Sequence, residues 1–510
     1  MVLGLQPLGG ASLGWRRESL QAVIPAGGGR VQLSIWVDAA PLTPLPLDAL
    51  LREARGPRRA FEALAFLAYR EKLMAGSPRF LTYFGRDTLL TLLLLGDEAH
   101  PRLWDAALRS VLVRIGPGGE VAHEEALGAD AMEATEAWSG PLRLVDGFRT
   151  RLDYAMVDDD FLLLPALRQW LLDEGGRPKA FAQEWLDRPL QGGMRMRDAI
   201  AANLSWVRRA AAPYAAHPNV HELIALREGM RKGDWRDSDE GLGGGRYPYS
   251  INAAMVPAAL AAAIDLCGAD ALKLPACEDR EALIHAHEVW QGAWRHFRVE
   301  RSAEEAARAR RTYARALGLP LPTGSESSPL RYEALSLDAQ GKAMEVMHSD
   351  GGLRLWLGRP SSAELKERIA YVSQRFPRGL MSPLGMFVAN AAYLRDEGLR
   401  AQFSPRHYHG AVVWSWQLVL WLRGLEKQLA RADHPPELQE EMRALQGALR
   451  RSLESVRTRL DAELWSWRYE RQRGWIAQDF VSLIEPMAPA NPVQLWSATL
   501  LSLGKRLEGW

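Results

Sequence analysis

From about residue 58 to its end, the chain repeats one pattern, in which apolar residues at helical spacing alternate with Gly-, Pro- or Asp-rich breaks. Apolar side chains three and four positions apart line one face of an α-helix, so each stretch predicts an amphipathic or buried helix. Few strand patterns lie between the stretches. The helical stretches read PRRAFEALAFLAYREKLM, RDTLLTLLLLG, LWDAALRSVLVRIG, DDFLLLPALRQWLLDEG, MRDAIAANLSWVRRAA, INAAMVPAALAAAIDLCG, DREALIHAHEVWQGAWRHF, AELKERIAYVSQRF, AVVWSWQLVLWLRGLEKQLARA, LQEEMRALQGALRRSLESVRTRLDAEL and PVQLWSATLLSLGKRL.

The segments between these stretches constrain how the helices are arranged. No exact sequence period marks a TPR or ankyrin array. The breaks carry Gly, aromatic and acidic clusters, whereas the loops of a solenoid are usually short. We therefore predict helical hairpins arranged in a ring, an all-α (α/α)6 toroid over residues 58–510, with an irregular α-solenoid as the alternative.

The first part of the chain has a different pattern. In VQLSIWVD (31–38), apolar and other residues alternate, which predicts a half-buried strand. The preceding AVIP and the three glycines at 27–29 indicate a hairpin. Because this is too little sequence for an independent β-domain, residues 1–57 are expected to form a small β-element and linker packed against the helical domain.

Composition excludes several classes of protein. The 510-residue chain has a formal net charge of +1 with scattered Lys and Arg, so no nucleic-acid or anionic-membrane partner is expected. Its two cysteines, Cys267 and Cys277, indicate no disulfide framework and no CxxC metal clip, and we expect neither metal nor cofactor. The N-terminus lacks the order of a secretory signal, and apolar runs such as 89–95 fall short of the ~20 residues that span a bilayer. These features predict a soluble, cytoplasmic protein.

An acidic loop carries the most informative local chemistry. The segment RKGDWRDSDEGLGGG places four carboxylates around Trp235, just before an alanine-rich helix: Asp234, Asp237, Asp239 and Glu240. An indole can stack on a sugar ring, and a partly desolvated acid keeps its proton near neutral pH. Crowded like charges cost stability unless something offsets them. A solvated acidic loop is the alternative reading.

Other polar residues also stand in loops that precede helices. Arg86 and Asp87 follow Tyr83 and Phe84 at the first turn of an apolar helix. Asp87 there suits a helix cap, but a carboxylate oriented by an arginine also accepts two adjacent sugar hydroxyls. Further clusters are His123, Glu124 and Glu125; Asp158, Asp159 and Asp160; His407, His409, Trp414 and Trp416; and Glu485 before the last helix. Each has an ordinary explanation as a helix-start acid, a buried histidine or a solvated side chain, but a toroid would gather many of them at one end.

The order of these motifs resembles a known family. FGRDT, HEEALG, Y-x3-DDDF, DWRDS with YPYSINAA, GLMSPLG, YHGAVVWSW and E-x10-WS are similar to the catalytic domain of inverting α-glucosidases with an (α/α)6 barrel. The resemblance is to the amylo-α-1,6-glucosidase part of glycogen debranching enzymes and to the processing α-glucosidase and mannosylglycerate hydrolase group. It runs from about residue 60 to the end. Gly410 stands where the family usually has Asn, and Ser415 replaces a proline.

The resemblance implies a role for each matching residue. Asp237 would be the general acid and Glu485 the base that activates water. Asp234, Asp239 and Glu240 remain alternatives for the acid, and Glu124 and Glu125 for the base. The expected substrate contacts are Arg86 and Asp87 at the terminal sugar, together with Tyr83, Phe84, His123, Glu124, Trp235, His409, Trp414 and Trp496.

The implied activity is that of an inverting, exo-acting α-glucosidase on α-linked gluco-oligosaccharides or a small α-glycoside. One alternative is another toroidal carbohydrate enzyme, whether trehalase-like, mannosylglycerate-type, β-glucan-cleaving or phosphorolytic. Another is a carbohydrate-binding protein without catalysis. A terpenoid cyclase or prenyltransferase is suggested only by the acids at 158–160, which lack DDxxD spacing. The exact sugar, the linkage, a structural Ca²⁺ and the oligomeric state stay open.

Overall fold

The computed structural model describes residues 2–16, 19–26, 28–36, 41–53, 56–132, 140–173, 179–269, 272–321, 328–459, 462–480 and 493–507. Its α-helices are α1 (Arg58–Leu67), α2 (Gly85–Leu95), α3 (Pro101–Leu112), α4 (Ala129–Met132), α5 (Asp158–Arg168), α6 (Lys179–Asp187), α7 (Met196–Ala216), α8 (Val256–Gly268), α9 (Arg280–Trp290), α10 (Ala303–Ala316), α11 (Gly351–Leu357), α12 (Ser362–Val372), α13 (Glu397–Ala401), α14 (Ser415–Leu429) and α15 (Pro436–Ser455). A π-helical segment, Ser250–Met255, leads into α8, and a long 3₁₀ segment spans Leu495–Leu507.

Six helical segments form an inner set whose contacts close a ring. Helix α2 contacts α5, α5 contacts α8, the π-helical start of α8 contacts α11, and α11 contacts α14. The 3₁₀ segment Leu495–Leu507 then contacts both α14 and α2. A solenoid would leave its first and last helices apart, so the closed set of contacts disfavours that alternative.

Burial explains the sequence patterns of the two helix types. Every residue of the inner helix α2 is buried, which accounts for its nearly unbroken leucines. The outer helix α15 buries a stripe at helical spacing and exposes its opposite face; the stripe is Leu438, Met442, Leu445, Leu449 and Leu453. The helix pairs α8–α9 and α14–α15 each combine one inner and one outer helix.

Helices dominate as predicted, but the expectation of very few strands between them is wrong. The strands are β1 (Val2–Leu8), β2 (Ser12–Arg16), β3 (Ser19–Val23), β4 (Arg30–Trp36), β5 (Met74–Ser77), β6 (Phe80–Tyr83), β7 (Glu124–Leu127), β8 (Arg143–Val145), β9 (Phe148–Asp153), β10 (Tyr247–Pro248), β11 (Arg298–Arg301), β12 (Leu330–Leu337), β13 (Ala343–His348), β14 (Met381–Ser382), β15 (Gly385–Met386), β16 (Ala389–Asn390), β17 (Val413–Trp414), β18 (Leu464–Glu470), β19 (Gly474–Asp479) and β20 (Val493–Gln494). Most are too short to show a period, and β12 is buried at nearly every position, so it does not alternate.

Outside the N-terminal region, these strands pair into small sheets between the helices. The sheets are β10–β12–β13–β16 with β11 beside β12, then β20–β5–β6, β7–β9–β8, β17–β18–β19 and β14–β15. Strand β6 ends directly before α2, and β17 ends directly before α14. The sheets therefore fix the chain at the entry of inner helices.

The N-terminal region forms two antiparallel pairs, β1 with β4 and β2 with β3. Leu5, Leu8, Val23 and Ile24 there stay exposed. Residues 45–51, which were assigned to the linker, instead bury Leu45, Leu50 and Leu51 in the main core. The helical body thus includes chain from before residue 58.

The two cysteines correct another expectation. Cys267, at the end of α8, is disulfide-bonded to Cys277 in the segment before α9, with the two Cα atoms 5.2 Å apart. Their spacing in the sequence did not reveal this, because the chain turns back on itself between the helices. The helical segment Ser250–Gly268 is long and apolar enough to cross a membrane by composition, but 72% of it is buried inside the fold, as a core helix would be.

Candidate active site

The starts of the inner helices meet through side-chain contacts. Arg86, at the start of α2, contacts Asp158 at the start of α5 and lies over the ring of Trp496 in the last helical segment. The ring of Trp496 packs edge-on against Trp414, which precedes α14. The N-terminal ends of several inner helices therefore converge on one polar cluster.

Arg86 is the centre of this cluster. Its guanidinium donates from Nη2 to Asp237 Oδ2 at 2.6 Å and from Nη1 to the Asp234 carbonyl at 3.1 Å. Carboxyl oxygens of Asp87 and Asp158 each lie 3.6 Å from it. The side chain is only 1% exposed, and the surrounding carboxylates raise its pKa even though burial opposes this. Arg86 is thus a fixed buried cation.

Close packing explains why the residue before Arg86 is a glycine, Gly85. A Cβ at that position would lie 2.4 Å from the Ala122 carbonyl and 2.8 Å from Asp159 Oδ1. The Gly85 amide also donates to the His123 carbonyl at 2.7 Å. This close approach joins the loop before α2 to the loop that carries His123 and Glu124.

Asp237 is the half-exposed member of the cluster, with 31% of its side chain accessible. Burial favours its neutral form, but Arg86, His409 and His123 together lower its pKa below the ordinary value. Without a ligand, Asp237 is therefore an ionised carboxylate that is partly accessible to solvent.

The three acids at the start of α5 are all fully buried, and none caps the helix. Each is directed to a different segment of chain. Asp158 faces Arg86, Asp159 Oδ2 lies 3.0 Å from His123 Nδ1, and Asp160 accepts from the Val121 amide at 2.7 Å. Burial raises the pKa of Asp158 and of Asp160 well above their usual range.

His123 and Glu124 titrate in an unusual range. Burial opposes the charge on His123, but Asp159 raises its pKa to about 9. Burial raises the pKa of Glu124 to about 7; His123 opposes this rise, and Asp153, Asp237 and Asp87 add to it. Burial likewise raises the pKa of Asp87 to about 6 against the pull of Arg86. Glu124 and Asp87 thus share the electrostatic neighbourhood of Asp237.

Of the other acids proposed for catalysis, Glu125 and Asp234 occupy structural positions. Glu125 is buried and bound by Lys72 and by Arg114, on the opposite face of β7 from Glu124. Asp234 accepts from Ser250 Oγ at 2.5 Å and from the Arg236 amide. Asp239 is 66% exposed and lies 3.5 Å from Lys232. Glu240, partly buried, is the remaining candidate in that loop.

Trp235, which was expected to stack on a sugar face, is packed inside the protein. Trp235 is 0% exposed, with the Arg236 guanidinium 4.3 Å from its ring centroid. The rings of His409, Trp414 and Trp416 meet it edge-on. Trp414 is also fully buried, and Trp496 is 4% exposed. These aromatic residues pack beneath the polar cluster.

Tyr83 and Phe84 lie beside the cluster in different environments. The Tyr83 ring is fully buried and faces the Arg114 guanidinium at 4.6 Å. Phe84 is 7% exposed and meets the His123 ring edge-on at 5.2 Å. Phe84 is therefore next to the site, whereas Tyr83 packs against the buried Glu125–Arg114 pair.

His409 stands next to Asp237. Its Nδ1 lies 2.9 Å from Ser238 Oγ, and its Nε2 lies 3.8 Å from Asp237 Oδ1. Burial lowers the pKa of His409 to about 3, so the ring is neutral near pH 7. Its ring stacks on Trp414, which fixes its orientation.

Sequence reasoning missed two sets of residues that support the site. Arg236 forms a fully buried ion pair with Asp350 at 2.8 Å, which joins the acidic loop to the start of α11. Glu463, 2% exposed, accepts from Tyr408 Oη at 2.5 Å and from Gln494 Nε2 at 3.2 Å. The partners lie far apart in sequence, so no local pattern signals them.

Several buried polar atoms of the cluster have no hydrogen-bond partner among the described residues. They are Arg86 Nε, Asp87 Oδ1, Asp158 Oδ2, His409 Nε2 and Trp496 Nε1. Buried polar groups are normally satisfied, so such a group of unsatisfied atoms indicates a site for water or a polar ligand. In the described part of the chain, no set of three or more His, Cys, Asp or Glu side chains is arranged to hold a metal ion. Glu485, the expected base, lies outside the described residues.

Comparison with known proteins gives only distant likenesses. No family model and no curated protein matches the chain. It is similar to the GH63 mannosylglycerate hydrolase from Thermus thermophilus in complex with Tris, at 13% identity and a TM-score of 0.48, over 88% of this chain and 99% of that one. The complex of the same hydrolase with Tris and D-glycerate is 13% identical, with a TM-score of 0.49, over 87% of this chain and 98% of that one. A wild-type glycosidase is 14% identical, with a TM-score of 0.43, over 87% of this chain and 94% of that one. Likenesses this distant decide neither the fold nor the activity of this chain.

Proposed function

We propose that this protein is a glycoside hydrolase that removes a terminal α-linked sugar with inversion, an α-glucoside being the first candidate. The observation that carries the proposal is the group of unsatisfied polar atoms beside the half-exposed Asp237. Sugar hydroxyls both donate and accept, so one pyranose ring can satisfy carboxylate, guanidinium and imidazole atoms together. The closed ring of inner helices is consistent with the (α/α)6 barrel that we propose for the fold.

In this proposal, Asp87 accepts hydrogen bonds from the terminal sugar and Arg86 holds the carboxylate in position. Neutral His409 offers Nε2 to another hydroxyl. Asp237 protonates the glycosidic oxygen, and Glu485 activates water on the opposite face of the ring. Inversion places the two carboxyl groups ~6.5–9.5 Å apart, which leaves room for that water.

The pKa of Asp237 sets a condition on this mechanism. A general acid must carry a proton, yet Arg86 holds Asp237 ionised in the free protein. Substrate binding has to weaken the contact between Arg86 and Asp237, and a sugar that draws Arg86 towards Asp87 would do so. The site would then raise the pKa of its acid only when it is occupied.

A second assignment of the acid rests on a specific observation. Glu124 has a pKa of about 7, so near neutral pH about half of it carries a proton without any rearrangement. If Glu124 is the acid, the Asp237 carboxylate stabilises positive charge on the sugar instead. Both assignments describe glycoside hydrolysis, and mutation distinguishes them.

The test is a screen of α-linked gluco- and manno-disaccharides, with NMR detection of the first anomer released. The expected result is hydrolysis with the β-anomer appearing first. Release of the α-anomer would contradict inversion. Saturable sugar binding without any hydrolysis would show a carbohydrate-binding protein in place of an enzyme.

A further inference from the structure

A groove on the outer surface, separate from the candidate active site, combines an apolar floor with a rim of exposed cations. It has a volume of about 850 Å³ and lies between α12 and α15, bounded by the β14–β15 turn and by Trp475. None of its lining residues belongs to the candidate site. Its size is that of pockets that take small organic ligands.

The floor of the groove is apolar and well packed. Ile369 and Leu445 are 2% exposed, and Phe376 and Met381 are 7% and 8% exposed. Trp475 is half-buried, with its ring centroid 4.6 Å from that of Trp467 behind it. The floor is therefore a rigid apolar surface that water covers when nothing is bound.

The rim carries positive charge from three separate elements. Lys366 comes from α12, Arg375 from the loop after it and Arg451 from α15, and all three are exposed. Their side chains form no ion pair or hydrogen bond with another described residue. Glu441 is the one carboxylate among the lining residues. Exposed arginines elsewhere have a carboxylate partner, as in Arg331–Glu300 and Arg298–Glu367.

We propose that this groove binds a small amphiphilic anion, with its apolar body on the floor and its carboxylate at the rim. Apolar burial and charge each favour such a ligand, and they do so at adjacent places. A purely apolar ligand would place no charge near the three cations, and a small anion without an apolar body would leave the floor exposed to water. The occupant to which we commit is a free medium-chain carboxylate.

The test measures binding of decanoate to the full chain by titration calorimetry, with decanol and acetate as matched probes at constant ionic strength. We expect decanoate to bind in one-to-one ratio and more tightly than either probe. Lys366→Gln, Arg375→Gln and Arg451→Gln should each weaken it by about two- to fivefold, the range for one exposed charge pair. Ala448→Glu should abolish binding, because it puts a carboxylate in the groove.

Two control variants test whether the effects on binding are specific to charges in the groove. Arg450→Gln removes a neighbouring charge that lies 3.7 Å from Glu426 and not in the groove. Ala363→Glu adds a carboxylate to an exposed position of α12 outside the groove. Both should bind decanoate as the parent does. Equal binding of decanoate and acetate would overturn the proposal, as would an equal effect of Arg450→Gln and Arg451→Gln.

Two other occupants give different results. If the face is covered by a second copy of the chain, Ala448→Glu changes the sedimentation coefficient and decanoate does not bind the assembled form. If it attaches to a lipid surface, vesicles with phosphatidylglycerol bind while monomeric decanoate does not. Either outcome contradicts the proposal.

Discussion

Arg86 Nη2 lies 2.6 Å from Asp237 Oδ2, although the two residues are 151 positions apart in the sequence. The contact joins the start of α2 to the acidic loop, and it keeps the one half-exposed aspartate of the cluster ionised. A buried cation thus controls the protonation of the proposed catalytic acid.

Substitution of this aspartate separates the two assignments of the acid. If Asp237 is the acid, Asp237→Asn should lower turnover of a natural disaccharide by about 10²–10⁴-fold. Substrates with an activated leaving group, which need little protonation, should recover much of the loss. Steady-state kinetics on a disaccharide and on a nitrophenyl glycoside measure both effects. Asp239→Asn, at a 66% exposed position, is the matched control and should be normal.

Glu124→Gln makes the complementary prediction. With Asp237 as the acid, this variant keeps its leaving-group dependence and loses only the part of the pH–rate profile that titrates near pH 7, where the pKa of Glu124 lies. With Glu124 as the acid, the variant instead shows selective recovery on nitrophenyl substrates. The pH dependence of kcat/KM in both variants decides the matter.

Asp87→Asn should increase stability while it removes activity. Because burial raises the pKa of Asp87 from 3.8 to about 6, its charged form is disfavoured in the folded protein. The folded state is therefore favoured below pH 4 and loses free energy as pH rises to about 6. The shift corresponds to at most about 3 kcal/mol at pH 7. Urea denaturation at pH 4 and 7 should show a gain for the variant only at pH 7, together with strongly reduced sugar binding. A variant with normal kinetics would make Asp87 a helix-start residue without a role in binding.

His123→Gln should lower stability, and it should do so only below about pH 9. The pKa of His123 is raised from 6.5 to about 9 by Asp159, against the effect of burial. The stabilisation is complete below pH 6.5 and disappears as pH rises through 9. The parent should exceed the variant by up to about 3 kcal/mol at pH 6 and by little on this account at pH 10. Denaturation midpoints across this range test it; a constant difference would assign the effect to packing alone.

Reduction of the Cys267–Cys277 disulfide should lower stability by about 2–3 kcal/mol, the value for closing a short loop. The chain has only these two cysteines, so a reducing agent acts on no other thiol. Thermal unfolding with and without dithiothreitol measures the effect. The double variant Cys267→Ala, Cys277→Ala should have the stability of the reduced protein, and dithiothreitol should not change it. Cytoplasmic location of the protein itself stays a prediction.

The sequence predicted long helices better than it predicted what connects them. All the long periodic stretches contain helices, because burial of one face or of a whole helix leaves a clear pattern. Helix α11 was missed, since GGLRLWL is short and begins with two glycines. Beyond the predicted strand in 31–38, most strands were missed, because many have only two to four residues and the longer β12 is buried at nearly every position.

The candidate site shows the same division. The sequence pointed to the first turn of a helix for Arg86 and Asp87 and to a loop for Asp237, and the structure brings these three side chains together. Which acid of a cluster is partly exposed and which is buried depends on partners far along the chain. Asp234 with Ser250 and Arg236 with Asp350 are such pairs. No local pattern separates them.

The contact between α2 and the Leu495–Leu507 segment has a consequence for biosynthesis. Helix α2 ends at Leu95 and its partner begins at Leu495, so α2 leaves the ribosome long before that segment does. Until then the apolar surface of α2 that the last segment covers is exposed, and Arg86 lacks the Trp496 ring beneath it. Until the Leu495–Leu507 segment has been made, the nascent chain therefore carries an open circle of helices, and the polar cluster is incomplete.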